Sequence, residues 1–104
     1  MGLKNDRILS LLGLAVRSRN LVSGEFSTEK AVKAGKAELV IVSGDASDNT
    51  KKLFTDKCRF YHIPFYLYAS KEELGKAIGK DVRSSVAVMD KGLAETIIKR
   101  LEDS

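Results

Sequence analysis

The chain has 104 residues, 43% hydrophobic and 31% charged, which suits one globular domain over 1–104 with a buried core; no apolar run nears the roughly 20 residues of a membrane span. Its single cysteine, Cys58, excludes an internal disulfide and a Cys-rich zinc site, and a reducing, cytoplasmic setting is expected. Lys and Arg number 18 against 14 Asp and Glu, and the whole excess of +4 falls in residues 1–36, as expected of a surface that faces a polyanion.

The N-terminal residues lead into a patterned helix rather than a signal peptide. That helix spans 5–17, with Asn5 or Asp6 as cap and Ile8, Leu11, Leu12 and Ala15 at helical spacing. Leu21-Val22-Ser23 is a short strand. Gly24 opens a second helix over about 25–34, with Thr28, Ala31 and Val32 inward and Gly35 at its stop. Leu39-Val40-Ile41-Val42 is a continuous apolar run of strand length, the pattern of a strand buried on both faces. After the loop Gly44–Ser47, Ser47 or Asp48 starts a helix to about Tyr61, with Leu53, Phe54 and Cys58 inward. Pro64 introduces the strand Phe65–Tyr68. Ser70-Lys71-Glu72-Glu73 has the form of a capping box for a short helix that stops at Gly79. Val86–Met89 is the last strand. Asp90 caps a final helix with Leu93, Ala94, Ile97, Ile98 and Leu101 on one stripe. Strands alternating with helices predict one α/β domain with helices on both faces of a small sheet.

Three constellations invite a catalytic or ligand-binding reading. Cys58 and His62 stand four apart, which would suit a thiol–imidazole pair, but His62 falls where Pro64 should end the helix. Two such ligands are too few for a structural metal site. Asp45 and Asp48 flank Ser47 after the central strand, a place where α/β sheets bind ligands and also where Asp and Ser make turns and caps. Gly75-Lys76-Ala77-Ile78-Gly79-Lys80 fails as a phosphate loop: three residues separate its glycines, and Asp81 follows the lysine.

Two basic features remain. The start of the second helix, Ser23 to Lys30, would present free amides that favour phosphate, with hydroxyls from Ser27 and Thr28 and charge from Lys30 and Lys33. Arg17 and Arg19 precede the adjoining strand and are expected beside it. The second feature is the loop Lys80 to Ser85. Its Val82 either packs on an unstacked base or folds back on the core.

The ordered pieces resemble a known family. They are Gly24 to Val32, Ala37 to Val42, Asp45, Ile63-Pro64, Ala69-Ser70-Lys71, Leu74-Gly75-Lys76 and Ser85 to Val88. Together they look like the large-subunit ribosomal protein seven-Ae family. Asp45-Ala46-Ser47-Asp48-Asn49-Thr50-Lys51-Lys52, Thr55-Asp56-Lys57-Cys58 and Asp90-Lys91-Gly92 resemble its bacterial YlxQ-like branch. The resemblance implies a three-layer α/β/α sandwich around a small mixed four-stranded sheet. It also implies binding to kink-turn RNA, a bend stacked on tandem G·A pairs, through a Gly-x-Asn-Glu-x-x-Lys motif at the start of the second helix. Here the glycine is Gly24 and the lysine Lys30, while Phe26 and Ser27 stand at the Asn and Glu positions. A loop before the last strand, here Lys80 to Ser84, would pack on a flipped-out nucleotide.

The expected function is therefore a non-catalytic, ribosome-associated RNA-binding protein, monomeric and without cofactor or metal. The expected RNA-binding residues are Gly24, Phe26, Ser27, Lys30, Lys33, Lys80, Val82, Arg83 and Ser84. The alternative is a protein-interaction module on the same fold, anchored by Phe26. A small hydrolase or transferase using Asp45 and His62 is a weaker third reading.

Overall fold

The computed structural model describes the backbone of residues 3–103 and the side chains from Arg7 to Asp103. The elements follow the order α1 (Leu3–Arg17), β1 (Leu21–Ser23), α2 (Glu25–Lys33), β2 (Leu39–Val42), α3 (Asp48–Tyr61), β3 (Phe65–Leu67), α4 (Lys71–Ala77), β4 (Ser85–Val88) and α5 (Lys91–Asp103). Helix α1 begins two residues earlier than expected, and the Asn5 or Asp6 cap concerns side chains outside the described residues. The last strand sits one residue earlier than its apolar pattern suggested. It takes in the buried Ser85, while the Met89 amide bonds instead to the Asn20 carbonyl at 2.7 Å.

The four strands form one mixed sheet in the order β1-β4-β2-β3. Strand β4 runs antiparallel to both β1 and β2, and β2 runs parallel to β3. The two central strands, LVIV and SVAV, are buried along their whole length. Strand alternation divides their side chains between two layers. Leu39, Ile41, Val86 and Val88 pack with Ile8 and Leu12 of α1, Leu74 of α4 and Ile97 of α5. Val40, Val42 and Ala87 pack with Ala31 and Val32 of α2 and Phe54 and Cys58 of α3. The result is an α/β/α sandwich, with α2 and α3 on one face of the sheet and α1, α4 and α5 on the other.

Local chemistry fixes the helix starts. Ser47 caps α3 by accepting from the Thr50 amide at 3.1 Å. Ser70 and Glu73 form the expected capping box on α4, with both bonds present. Asp90 accepts from the Leu93 amide at 2.8 Å at the start of α5. At the other end of α5, Glu102 meets the Tyr66 hydroxyl of β3.

Cys58 is 2% exposed inside the α2/α3 layer. Burial pushes its thiol up to about 11, so it is neutral and unreactive at physiological pH. Cys58→Ser should lower stability by roughly 1–3 kcal/mol, because the new hydroxyl is buried where a thiol packed. Chemical denaturation measures this, and RNA binding of the folded variant should be unchanged.

Candidate nucleic-acid interface

The start of α2 differs from those of α3 and α4. Its cap residue is Gly24, which has no side chain to offer, and no side-chain bond closes the first turn. The first intrahelical bond runs from the Thr28 amide to the Gly24 carbonyl at 3.0 Å. The amides of Glu25, Phe26 and Ser27 therefore precede the ladder and point out of the helix end, where the helix dipole favours anions. Gly24 adopts φ +92° and ψ 156°, a region essentially reserved for glycine. The residue is thus demanded by the chain path from β1 into α2.

The second element is the loop that follows α4. Gly79 turns it at φ +78°, the Lys80 amide bonds to the Gly75 carbonyl at 2.8 Å, and the Arg83 amide bonds to the Lys71 carbonyl at 3.0 Å. The loop is thus strapped along α4. Two bonds across the adjoining ends of β1 and β4 hold it beside the start of α2. Arg83 donates through Nε to Ser23 Oγ at 3.0 Å, and the Gly24 amide donates to the Ser85 carbonyl at 2.9 Å. An open pocket of about 320 Å³ forms between them, lined by Gly24, Glu25, Val82, Arg83, Ser84 and Thr50 among others. Val82 is 44% exposed at its edge, so the loop does not fold it back into the core.

The outer stripe of α2 carries Phe26, Glu29, Lys30, Lys33 and Ala34. Lys33 and Lys57 both approach Glu29 Oε2, at 3.7 and 3.8 Å. Lys30 has no ion pair among the described residues, and its ammonium lies over the Phe26 ring, 6.0 Å from the centroid. Exposed pairs of this kind contribute little to stability, so the stripe stays available to a partner.

The ribosomal protein L7Ae/L30e/S12e/Gadd45 family profile matches residues 6–98. The chain belongs to this family. Two proteins called RNA-binding protein YlxQ are similar to it. The one from Bacillus subtilis is 46% identical over 92 residues, covering 88% of this chain and 92% of that protein. The one from Enterococcus faecium is 35% identical and covers 93% of each chain. These likenesses place the chain in the YlxQ-like branch. A solved Bacillus halodurans protein with unknown function superposes with a TM-score of 0.88 at 43% identity, covering 91% of this chain and 96% of that one.

Within this family frame, the structure brings Gly24, Phe26 and Ser27 to one helix start, sets Val82, Arg83 and Ser84 beside it, and places Lys30 one turn beyond Phe26, in the last turn of α2. Lys33 is exposed but ends α2, two turns from Gly24, and is not near the helix start as its sequence position had suggested. Lys80 is exposed at the head of the loop. Arg17 does not stand beside α2. It lines a groove between α1 and α4 on the opposite face of the sheet, with Glu73 and Lys76. Ser23 and Glu25, which lay within the expected helix-start segment but were not among the expected RNA-binding residues, belong to the pocket, and Thr50 joins them. Thr50 reaches Glu25 from α3 at 3.4 Å, a contact no local pattern announces.

The catalytic alternatives come apart. Asp45 accepts from the Lys71 amide at 3.0 Å and so ties its loop to the start of α4. His62 caps the far end of α3 in the left-handed region, so that 14-residue helix, about 20 Å long, separates it from Asp45. Cys58 is buried while His62 is exposed. Among the described residues no group of three or more His, Cys, Asp or Glu side chains could hold a metal ion, and no helix is long and apolar enough to cross a membrane.

Proposed function

We propose that this chain is a non-catalytic, ribosome-associated RNA-binding protein that holds structured RNA between the start of α2 and the loop 80–84. The observation that carries this reading is the junction of an uncapped helix start with a basic loop, fastened by the Arg83–Ser23 and Gly24–Ser85 bonds. The RNA-binding YlxQ relatives and the ribosomal proteins of the family support it.

In this reading the free amides of the α2 start receive a phosphate, and Gly24 lets the backbone come close. Lys30, Lys80 and Arg83 supply charge around it, Ser27 and Ser84 supply hydroxyls, and Lys33 extends the charge along the helix. Val82 meets an unstacked base at the loop edge. A kink-turn is the RNA shape the family frame favours. With Phe26 and Ser27 at the Asn and Glu positions, shape and phosphate contacts dominate over base reading.

Salt titration tests the reading. Lys30→Ala should keep the fold and flatten the dependence of log K on log salt by about 0.7–0.9, the signature of one lost phosphate contact. Lys33→Ala should act in the same direction but less, since Lys33 already faces Glu29. Unchanged slopes in both variants would remove α2 from the interface.

A further inference from the structure

We infer that the Phe26 ring is a stacking platform for an unpaired RNA base, with recognition that is tolerant of base identity. The inference rests on the RNA-binding reading above and names the part of the RNA that this side chain takes.

Phe26 is 78% exposed although it sits in the first turn of a helix. A phenyl ring has no hydrogen-bonding group, so it cannot read a base edge as the family's Asn would. It offers a flat face instead, and every base has a π face to match. Lys30, one helical turn on, places its ammonium over one side of the ring at 6.0 Å. That cation is attracted to the ring and to a nucleotide's phosphate alike. The high exposure leaves the remaining ring face to the solvent. Glu29, the nearest acid on the stripe, is faced by Lys33 and Lys57, so its charge is offset where an RNA strand would run.

The other exposed phenyl ring makes a useful contrast. Phe60 is 74% exposed, but Tyr61 packs edge-on against it, with centroids 4.9 Å apart and planes at 77°. It lies at the far end of α3, away from the uncapped helix start. Phe26 combines an open face, an adjacent cation with no ion pair among the described residues and a neighbouring helix end with free amides. A base with its own phosphate meets all three.

The experiment compares two RNA hairpins at one fixed salt concentration, one fully paired and one carrying a short uridine bulge, with a third that carries adenosines in the bulge. The proteins are the wild type, Phe26→Leu, Phe26→Tyr, Val82→Ala and Lys30→Ala. The wild type should prefer both bulged hairpins to the paired one, with similar affinity for uridine and adenosine. Phe26→Leu should bind the bulged hairpins about ten-fold more weakly and the paired one as before. Phe26→Tyr should restore binding. In the wild-type complex, Phe26 ring protons should show nuclear Overhauser contacts to bulge bases. If Phe26→Leu matches the wild type while Lys30→Ala weakens all three complexes, the RNA reading stands and stacking fails, leaving the ring to a protein partner. If Val82→Ala alone abolishes the bulge preference, the base stacks on the loop and the assignment to Phe26 is wrong. If no hairpin binds in a salt-dependent way, the RNA reading fails and the stacking platform with it.

Discussion

Gly75→Ala should destabilise the protein by about 1–3 kcal/mol and weaken RNA binding at the same time. In the interior of an exposed helix the same change would be stabilising by up to about 1 kcal/mol, because alanine is the better helix former. The surroundings of Gly75 reverse the sign. A Cβ added there would lie 2.6 Å from the Asp81 carbonyl oxygen and 2.8 Å from both the Asp81 carbonyl carbon and Val82 Cα. All three are backbone atoms, so no side chain can swing away. Helix α4 and the loop must separate, at a cost typical of overpacking. For a domain of this size that corresponds to a fall in melting temperature of about 4–8 °C per kcal/mol. The segment displaced is the one that carries Val82 and Arg83, so the Arg83–Ser23 bond and the pocket beside Gly24 should loosen together. Gly92→Ala provides the control, since a Cβ there meets only the Asp90 capping carboxylate, at 3.4 Å, and no backbone atom. Thermal melts and RNA titrations of both variants check the expectation. A melting loss with unchanged RNA affinity would take the loop out of the interface.

That prediction also shows where sequence and structure part. The five helices and four strands were legible because each carries a local signal. The caps at Ser47, Ser70 and Asp90 act within three residues, and LVIV declares a strand buried on both faces. The helix start at Gly24 and the basic loop 80–84 were legible for the same reason, as local patterns of glycine, hydroxyl and charge. What was not legible arises between segments far apart in the chain. Residue patterning in strands of three or four residues does not choose partners, so the resemblance implied only a mixed four-stranded sheet, and the antiparallel placement of β4 between β1 and β2 came with the structure. Gly75 looked like part of a failed phosphate loop, and its packing against Asp81 and Val82 depends on how the chain returns along α4. Thr50 and Ser23 joined the pocket for the same kind of reason. Arg17, in the last turn of α1, lines a groove with Glu73 and Lys76 of α4, a placement set by how α4 packs on α1 and by no local pattern.

Replacing Phe26 by Asn together with Ser27 by Glu should create or strengthen a preference for kink-turn RNA over a matched duplex. Gly24 holds the backbone conformation that starts α2, and Lys30 keeps its place one turn on. Neither position 26 nor 27 is buried, so the exchange leaves the core untouched. Asn and Glu would then project from the same first turn as in the family motif. Base contacts regained there should contribute on the order of 1–3 kcal/mol each to discrimination, about ten-fold or more in the ratio of the two dissociation constants. The double change also removes the phenyl ring, so absolute affinity for a bulged RNA falls by the stacking contribution while the ratio rises. These opposite signs make the ratio the quantity to measure. Titrating wild type and variant against both RNAs at one salt concentration yields it directly. The wild type should show the smaller ratio of a binder dominated by phosphate contacts, which every RNA supplies, with stacking on an unpaired base as its remaining source of preference. If the wild type already separates the two RNAs as strongly as the variant, Phe26 and Ser27 read the bend in their own way. If the variant gains nothing in the ratio, the helix start lies outside the RNA contact, and the charge on Lys80 and Arg83 must account for binding alone.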